Sequence, residues 1–263
     1  MPSVNVRGVR LNYVEQGTGD NINVFVHGLG AAAGTWKEAL ELLPASYHAY
    51  ALDLRGYGKS ERAKEGFAIP QFAEDVYHFS QALGLERFTY VGHSMGGAIG
   101  MQLALDHPEV LKGSVLVAPV PADGFKVSPD IEAVVLGLVD ATPEEVKGLA
   151  PFFFTKPLSD QRIEEVTEDL LAVVREAFFA SMDAIKSFNV ESRLGEIKLP
   201  TLIIAAEQDL FCSVDDLRRT AKGIGGSRFE ISEGVGHFLH IENPQRFVEL
   251  LTSFIEEVNR GSA

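Results

Sequence analysis

At 263 residues, with 46% hydrophobic and 23% charged residues, the chain has an ordinary globular composition and enough length to bury about three quarters of its unfolded surface. Asp and Glu outnumber Lys and Arg by 37 to 23, a formal net charge of −14 with no basic cluster, which argues against nucleic acid and anionic membranes as partners. No apolar run reaches the ~20 residues of a membrane span. The N-terminal stretch lacks the basic-then-apolar pattern of a secretory signal, and the single cysteine, Cys212, allows no internal disulfide, so a cytoplasmic location is expected.

Taken in order, Val4 to Glu15 carries short β-prone pieces broken at Arg7-Gly8, a hairpin signal. Ile22 to Val26 reads as a buried strand running into His27-Gly28-Leu29-Gly30, and a helix begins at Thr35. Tyr47 to Leu52 is a second strand. The turn-rich Asp53-Leu54-Arg55-Gly56-Tyr57-Gly58-Lys59-Ser60 follows it, with too few glycines for a phosphate-binding loop. Phe72, Val76, Phe79 and Leu83 fall at helical spacing between Pro70 and Leu83, and Gly84 ends that helix. A strand at Phe88 to Val91 then leads through a glycine-rich turn into a helix over Ala98 to Leu105, which His107-Pro108 stops. Ser114 to Ala118 is again continuously apolar. Strands of this kind between helices form a parallel sheet covered on both faces.

From about Pro121 to Glu196 no strand pattern appears, only helical patterns over 130–139, 142–149 and 159–179, rich in Phe152, Phe153, Phe154, Phe178, Phe179 and Met182. Residues 121–196 are expected to form a helical cap over the C-terminal edge of the sheet, with residues 1–120 and 197–263 as the core domain. Roughly half of these large side chains are expected to fasten the cap to the core and the rest to line a pocket. The sheet resumes at Thr201 to Ala206, and the turn beyond presents Glu207-Gln208-Asp209. A helix over 214–222 and a last strand over 227–231 follow. A glycine loop then ends at His237, and Asn243-Pro244 opens a final helix with Phe247, Leu250, Leu251 and Phe254 on one face.

The stretch Gly92-His93-Ser94-Met95-Gly96-Gly97 places a serine where a strand reverses sharply into a helix. Glycines two positions away on each side avoid collision in such a turn, and the strained backbone lifts the serine hydroxyl clear. The unpaired N–H groups and positive dipole end of the helix that follows suit an oxyanion. Three polar residues, Ser94, Asp209 and His237, thus stand at the C-terminal ends of three different strands, where parallel sheets build sites.

Their order of serine, acid, histidine resembles the α/β-hydrolase fold family over essentially the whole chain. The matching motifs are His27-Gly28, the Asp53 to Ser60 turn, the serine turn, the acid loop ending in Asp209, and Gly236-His237 before Glu242-Asn243-Pro244. The resemblance implies a mostly parallel central sheet flanked by helices, with Ser94 as nucleophile, His237 as base and Asp209 as the carboxylate that orients it. It also implies an oxyanion hole from the backbone N–H groups of Leu29 and Met95. Ala206 departs from the glycine often found three residues before the acid, and Asp123 marks a position from which some relatives supply that acid.

The remaining histidines have plainer readings: His93 and His27 as turn packing, and His240, in an H-x-x-H with His237, as weak evidence for zinc. Cys212 is read as structural, and no cofactor or metal is called for. Haloalkane dehalogenases and epoxide hydrolases of this fold attack with aspartate, so Ser94 points instead to small carboxylesterases and enol-lactonases, which share the G-x-S-M-G-G turn. The expected partner is a small, largely apolar ester or lactone. Carbon-carbon hydrolases of ring-cleavage products are the nearest rival, but they usually carry asparagine before the serine and tryptophan after the histidine, where this chain has His93 and Phe238. A cofactor-free perhydrolase and a slow-turnover ligand receptor rank below; the sequence is silent on oligomeric state.

Overall fold

A computed structural model describes residues 2–261. Arg7 and Gly8 both take positive φ, 51° and 82°, the conformation of a two-residue hairpin turn. They join β1 (Ser3–Val6) to β2 (Val9–Gly17) in antiparallel pairing. β3 (Asn21–Val26), α1 (Lys37–Glu41), β4 (Tyr47–Leu52), α2 (Ile69–Ala82), β5 (Phe88–His93), α3 (Met95–Asp106) and β6 (Leu111–Val117) then alternate. After β6 come four helices, α4 (Pro129–Leu136), α5 (Pro143–Phe153), α6 (Asp160–Ala172) and α7 (Arg175–Ser187), with no strand among them. β7 (Thr201–Ala206), α8 (Val214–Gly223), β8 (Arg228–Ser232), α9 (Leu239–Glu242) and α10 (Pro244–Gly261) complete the chain.

The strands form one eight-stranded sheet in the order β1-β2-β4-β3-β5-β6-β7-β8. β3 through β8 run parallel, while β1 and β2 make an antiparallel edge. Every residue of β5 and of β7 is buried, which is why neither shows polar alternation in the sequence. Their side chains divide between two apolar clusters. Phe88, Tyr90, Leu116 and Ile203 enter one, whereas Val91, Val115, Leu202 and Ile204 enter the other with Trp36, Phe247 and Leu251. This is the period of two expected of a sheet buried on both faces.

The pattern over 159–179 predicts one helix, and the structure breaks it into α6 and α7. Val173 and Val174 are extended and buried between them, and Val174 N–H donates to Gly56 O at 2.8 Å. A partner distant in sequence therefore takes the donor that would have continued the helix. Of the large side chains in this segment, Phe153, Phe154, Phe178 and Met182 are buried, while Phe152 and Phe179 are exposed.

Arg55 lies in the turn after β4, and its guanidinium grips Asp75 of α2 with two bonds, Nε to Oδ2 at 2.5 Å and Nη2 to Oδ1 at 2.6 Å. Both side chains are buried. Removing one partner of such a pair strands the other charge in the core. Arg55→Ala is expected to cost about 3–5 kcal/mol in denaturant unfolding, and a loss below about 1 kcal/mol would show that Asp75 finds solvent or another partner.

Candidate active site

Ser94 sits between β5 and α3 at φ 52°, ψ −112°, outside the regions that L-residues ordinarily occupy. Close packing holds it there. A Cβ on Gly92 would lie 2.3 Å from Gly96 O, and one on Gly96 would lie 2.4 Å from Val26 O, so neither position admits a side chain. The backbone is pinned on both sides: Ser94 N–H donates to Val117 O at 3.0 Å, while Ser94 O accepts from the N–H groups of Gly97 and Val120 at 2.9 and 3.0 Å. The Tyr90 hydroxyl donates to Gly96 O at 2.6 Å, fixing the first turn of α3.

The loops after β7 and β8 bring Asp209 and His237 together, with 2.8 Å between Asp209 Oδ2 and His237 Nδ1. Asp209 Oδ1 accepts from the N–H groups of Phe211 and Cys212 at 2.8 and 3.1 Å, and the carboxylate is fully covered. Because an ionised carboxylate only accepts, this pairing places the imidazole proton on Nδ1 and leaves the Nε2 lone pair free to take a proton. Asp123 does not join them. Its Oδ2 lies 2.5 Å from Lys126 Nζ and 4.0 Å from Arg219, and the bond to Lys126, helped by both charges, holds its carboxyl below the usual range.

The loop after β3 approaches Ser94 from the other side. A Cβ on Gly28 would stand 3.0 Å from Ser94 Cβ, and the neighbouring N–H of Leu29 makes no backbone hydrogen bond among the described residues, nor does that of Met95. Asp53 anchors this loop: Oδ1 accepts from Ala33 N–H at 2.7 Å, and Oδ2 accepts from Asn12 Nδ2 and Lys59 N–H at 2.7 and 2.9 Å. Ser94 and His237 line a cavity whose other walls include Leu29, Phe125, Phe153, Phe178 and Phe238.

The sequence profile of the α/β hydrolase fold family matches residues 24–171, more than half of the chain. The chain belongs to the α/β hydrolase family. RutD of Variovorax paradoxus, a proposed carbamate hydrolase, is 31% identical over 95% of this chain and 97% of its own. The 2-hydroxy-6-oxo-6-phenylhexa-2,4-dienoate hydrolase of Comamonas testosteroni is 28% identical over 94% and 91% respectively. Among solved structures, Est816, described as an N-acyl homoserine lactone degrading enzyme, superimposes with a TM-score of 0.81 at 28% identity, covering 96% of this chain and all of that one.

Around the site of this hydrolase the other histidines are held by packing and hydrogen bonds. His27 Nε2 accepts from Leu54 N–H at 3.1 Å and its Nδ1 lies 2.8 Å from Gly28 O. His93 Nε2 lies 3.0 Å from His237 O, so it donates to the backbone of the neighbouring histidine, and burial pushes its own pKa well down. His240 does not converge with His237: its Nε2 is 3.1 Å from Thr35 Oγ1 and its ring lies 4.3 Å from that of Trp36. Among the described residues, Asp209, Cys212 and His237 bring three ligand-type atoms within 4.8 Å of one another. Asp209 already spends both oxygens on its hydrogen bonds, and burial pushes the Cys212 thiol well up.

Sequence reasoning missed Asp53 as a loop anchor and Asp169 of α6 as a group at a cavity wall. One signal was available for the second. Asp169 stands three residues after Val166 and six after Ile163, on the cavity-facing side of a segment read only as a helix of the cap.

The turn at Ser94 yields a direct expectation. Gly96→Ala sets a methyl group against a main-chain oxygen of β3 that cannot move alone, so labelling of Ser94 by a fluorophosphonate should slow by about 100-fold or more. Labelling within about threefold of wild type, in a protein with unchanged circular dichroism, would show that the turn tolerates a side chain.

Proposed function

We propose that this hydrolase cleaves small, largely apolar carboxylic esters or lactones through an acyl-enzyme on Ser94. The observation that carries the reading is that Ser94, on its strained turn, shares one mostly apolar cavity with a histidine whose Nδ1 is committed to a buried carboxylate. His237 Nε2 takes the Ser94 proton as Oγ attacks the carbonyl carbon, and the N–H groups of Leu29 and Met95 receive the oxyanion. Collapse expels the alkoxide, which leaves with the proton held by His237. Water, deprotonated by the same nitrogen, then attacks the acyl carbon and releases the acid and Ser94. Asp209 keeps the imidazole in the required tautomer and supports the imidazolium in both halves. Residues 121–196 act as a cap: Phe125, Phe153 and Phe178 reach the cavity from this segment, so it sets which substrates fit.

Carbon-carbon hydrolysis is the second reading, favoured by the Comamonas testosteroni relative. A dienoate substrate carries a carboxylate, and none of the residues lining the cavity at Ser94 is arginine or lysine. An uncharged ester or lactone suits such walls better.

Initial rates on p-nitrophenyl acetate, p-nitrophenyl hexanoate, a γ-lactone and 2-hydroxy-6-oxo-6-phenylhexa-2,4-dienoate separate the readings. Turnover of the esters or lactone above the dienoate is expected; the reverse order would establish carbon-carbon cleavage. In the same assays Ser94→Ala should abolish turnover, and Asp209→Asn should lower kcat by about 10⁴-fold through the wrong tautomer. Asp123→Asn should leave the rate near wild type, and the opposite ranking of the two aspartates would move the acid to Asp123.

A further inference from the structure

The cavity at Ser94 adjoins a second chamber. Leu29, Leu138, Phe153 and Phe238 line both. The walls of the second are mainly aliphatic and aromatic, broken by two ionisable side chains of α6, Arg162 and Asp169. Their situations differ. Both terminal nitrogens of the Arg162 guanidinium are committed, Nη1 to Glu165 Oε2 at 2.7 Å and Nη2 to Glu38 Oε2 at 3.3 Å, while its buried Nε has no partner among the described residues. Asp169 is half-buried and has no hydrogen bond or ion pair among the described residues. It abuts the stretch after Ala32, where a Cβ on Gly34 would lie 3.6 Å from Oδ2, but the nearby N–H groups of Ala33 and Thr35 are already given to Asp53 Oδ1 and Ala32 O.

A carboxyl taken from water without a partner costs stability, and the other two buried acids of this region, Asp53 and Asp75, are fully bonded. We propose that Asp169 is the specificity-determining residue of the second chamber, receiving a hydrogen-bond donor, hydroxyl or ammonium, at the end of the substrate's apolar chain farthest from Ser94. This rests on the ester or lactone reading of Ser94. The chamber then accommodates a chain that is apolar along its length and polar at its tip, a pattern that a pocket of apolar groups alone discriminates weakly and an unpaired polar group discriminates strongly.

The charges around Asp169 favour the same ligand. Burial, then the charge of Asp53, push its carboxyl up to about 7; Glu165 and Glu168 add to this, and Arg162 opposes it. An ammonium is therefore received above that pH, where the group is ionised, while a hydroxyl is received in either form. The folded chain keeps this proton between the ordinary carboxylate range and about 7, where the unfolded chain has lost it, so Asp169 makes stability fall as pH rises through that window.

The test uses p-nitrophenyl hexanoate, 6-hydroxyhexanoate and 6-aminohexanoate with wild type, Asp169→Leu and Asp169→Asn, and calorimetric binding of hexan-1-ol and hexan-1-amine to the same proteins. Wild type should prefer the donor-bearing esters, and Asp169→Leu should shift that preference toward the hexanoate by about tenfold or more. Asp169→Asn should keep the hydroxyl preference and lose any rise in ammonium preference across pH 7, so the ω-amino arm tells whether the received donor is charged. Asp169→Leu should also raise the unfolding midpoint more at pH 8 than at pH 5. Should no ester be turned over while Asp169→Leu weakens binding of hexan-1-ol or hexan-1-amine by about tenfold, the ester reading falls and the role of Asp169 stands. Equal or absent binding to wild type and Asp169→Leu overturns that role whatever the ester rates.

Discussion

The strand-to-helix reversal at Ser94 is the constraint on which the rest of the molecule depends. A non-glycine residue at φ 52° costs about 1–3 kcal/mol unless its surroundings leave it nowhere else to go. Here they do, because β5 and α3 approach so closely at Gly92 and Gly96 that only backbone fits between them, and the ends of β3 and β6 close the remaining sides. The parallel sheet therefore does more than bury apolar surface. It stacks the ends of three strands, β3, β5 and β6, around one residue, and the same edge carries the Asp209 and His237 loops.

Buried carboxyl groups take three fates around that edge. Asp75 is neutralised by Arg55, a pairing that serves the fold. Asp53 is satisfied by two backbone N–H groups and an amide, and so ties the loop carrying Leu29 to the turn after β4. Asp209 accepts two backbone N–H groups and keeps its other oxygen for His237, which sets the orientation of that ring. Asp169 matches none of these. An acid left without a partner at the wall of an apolar chamber is a stability cost that makes physical sense where a ligand supplies the missing donor.

Much of this was legible in the sequence because the determining interactions are local or periodic. The continuous apolar runs of β5, β6 and β7 announce a sheet buried on both faces, and the glycines at 92 and 96 announce a turn with no room for side chains. The pairing of Asp209 rather than Asp123 with His237 could be ranked from motif order, yet only the fold shows Lys126 and Arg219 beside Asp123. The break at Val173-Val174 was hidden, since helical spacing continues through it and the cause is Gly56 O, more than a hundred residues away. Asp169 was hidden for a related reason: on its own helix it is one acid among several, and it acquires meaning only where α6 meets the loop after β3.

In the proposed mechanism Ser94 carries the acyl group between two half-reactions. The most direct measurement is peptide mass mapping of protein quenched in acid within the first turnovers of p-nitrophenyl hexanoate. A hexanoyl adduct is expected on the peptide containing Ser94, forming no more slowly than p-nitrophenol appears and absent from Ser94→Ala. Full release of p-nitrophenol with no adduct at any time point, or with the adduct on another residue, would contradict that mechanism.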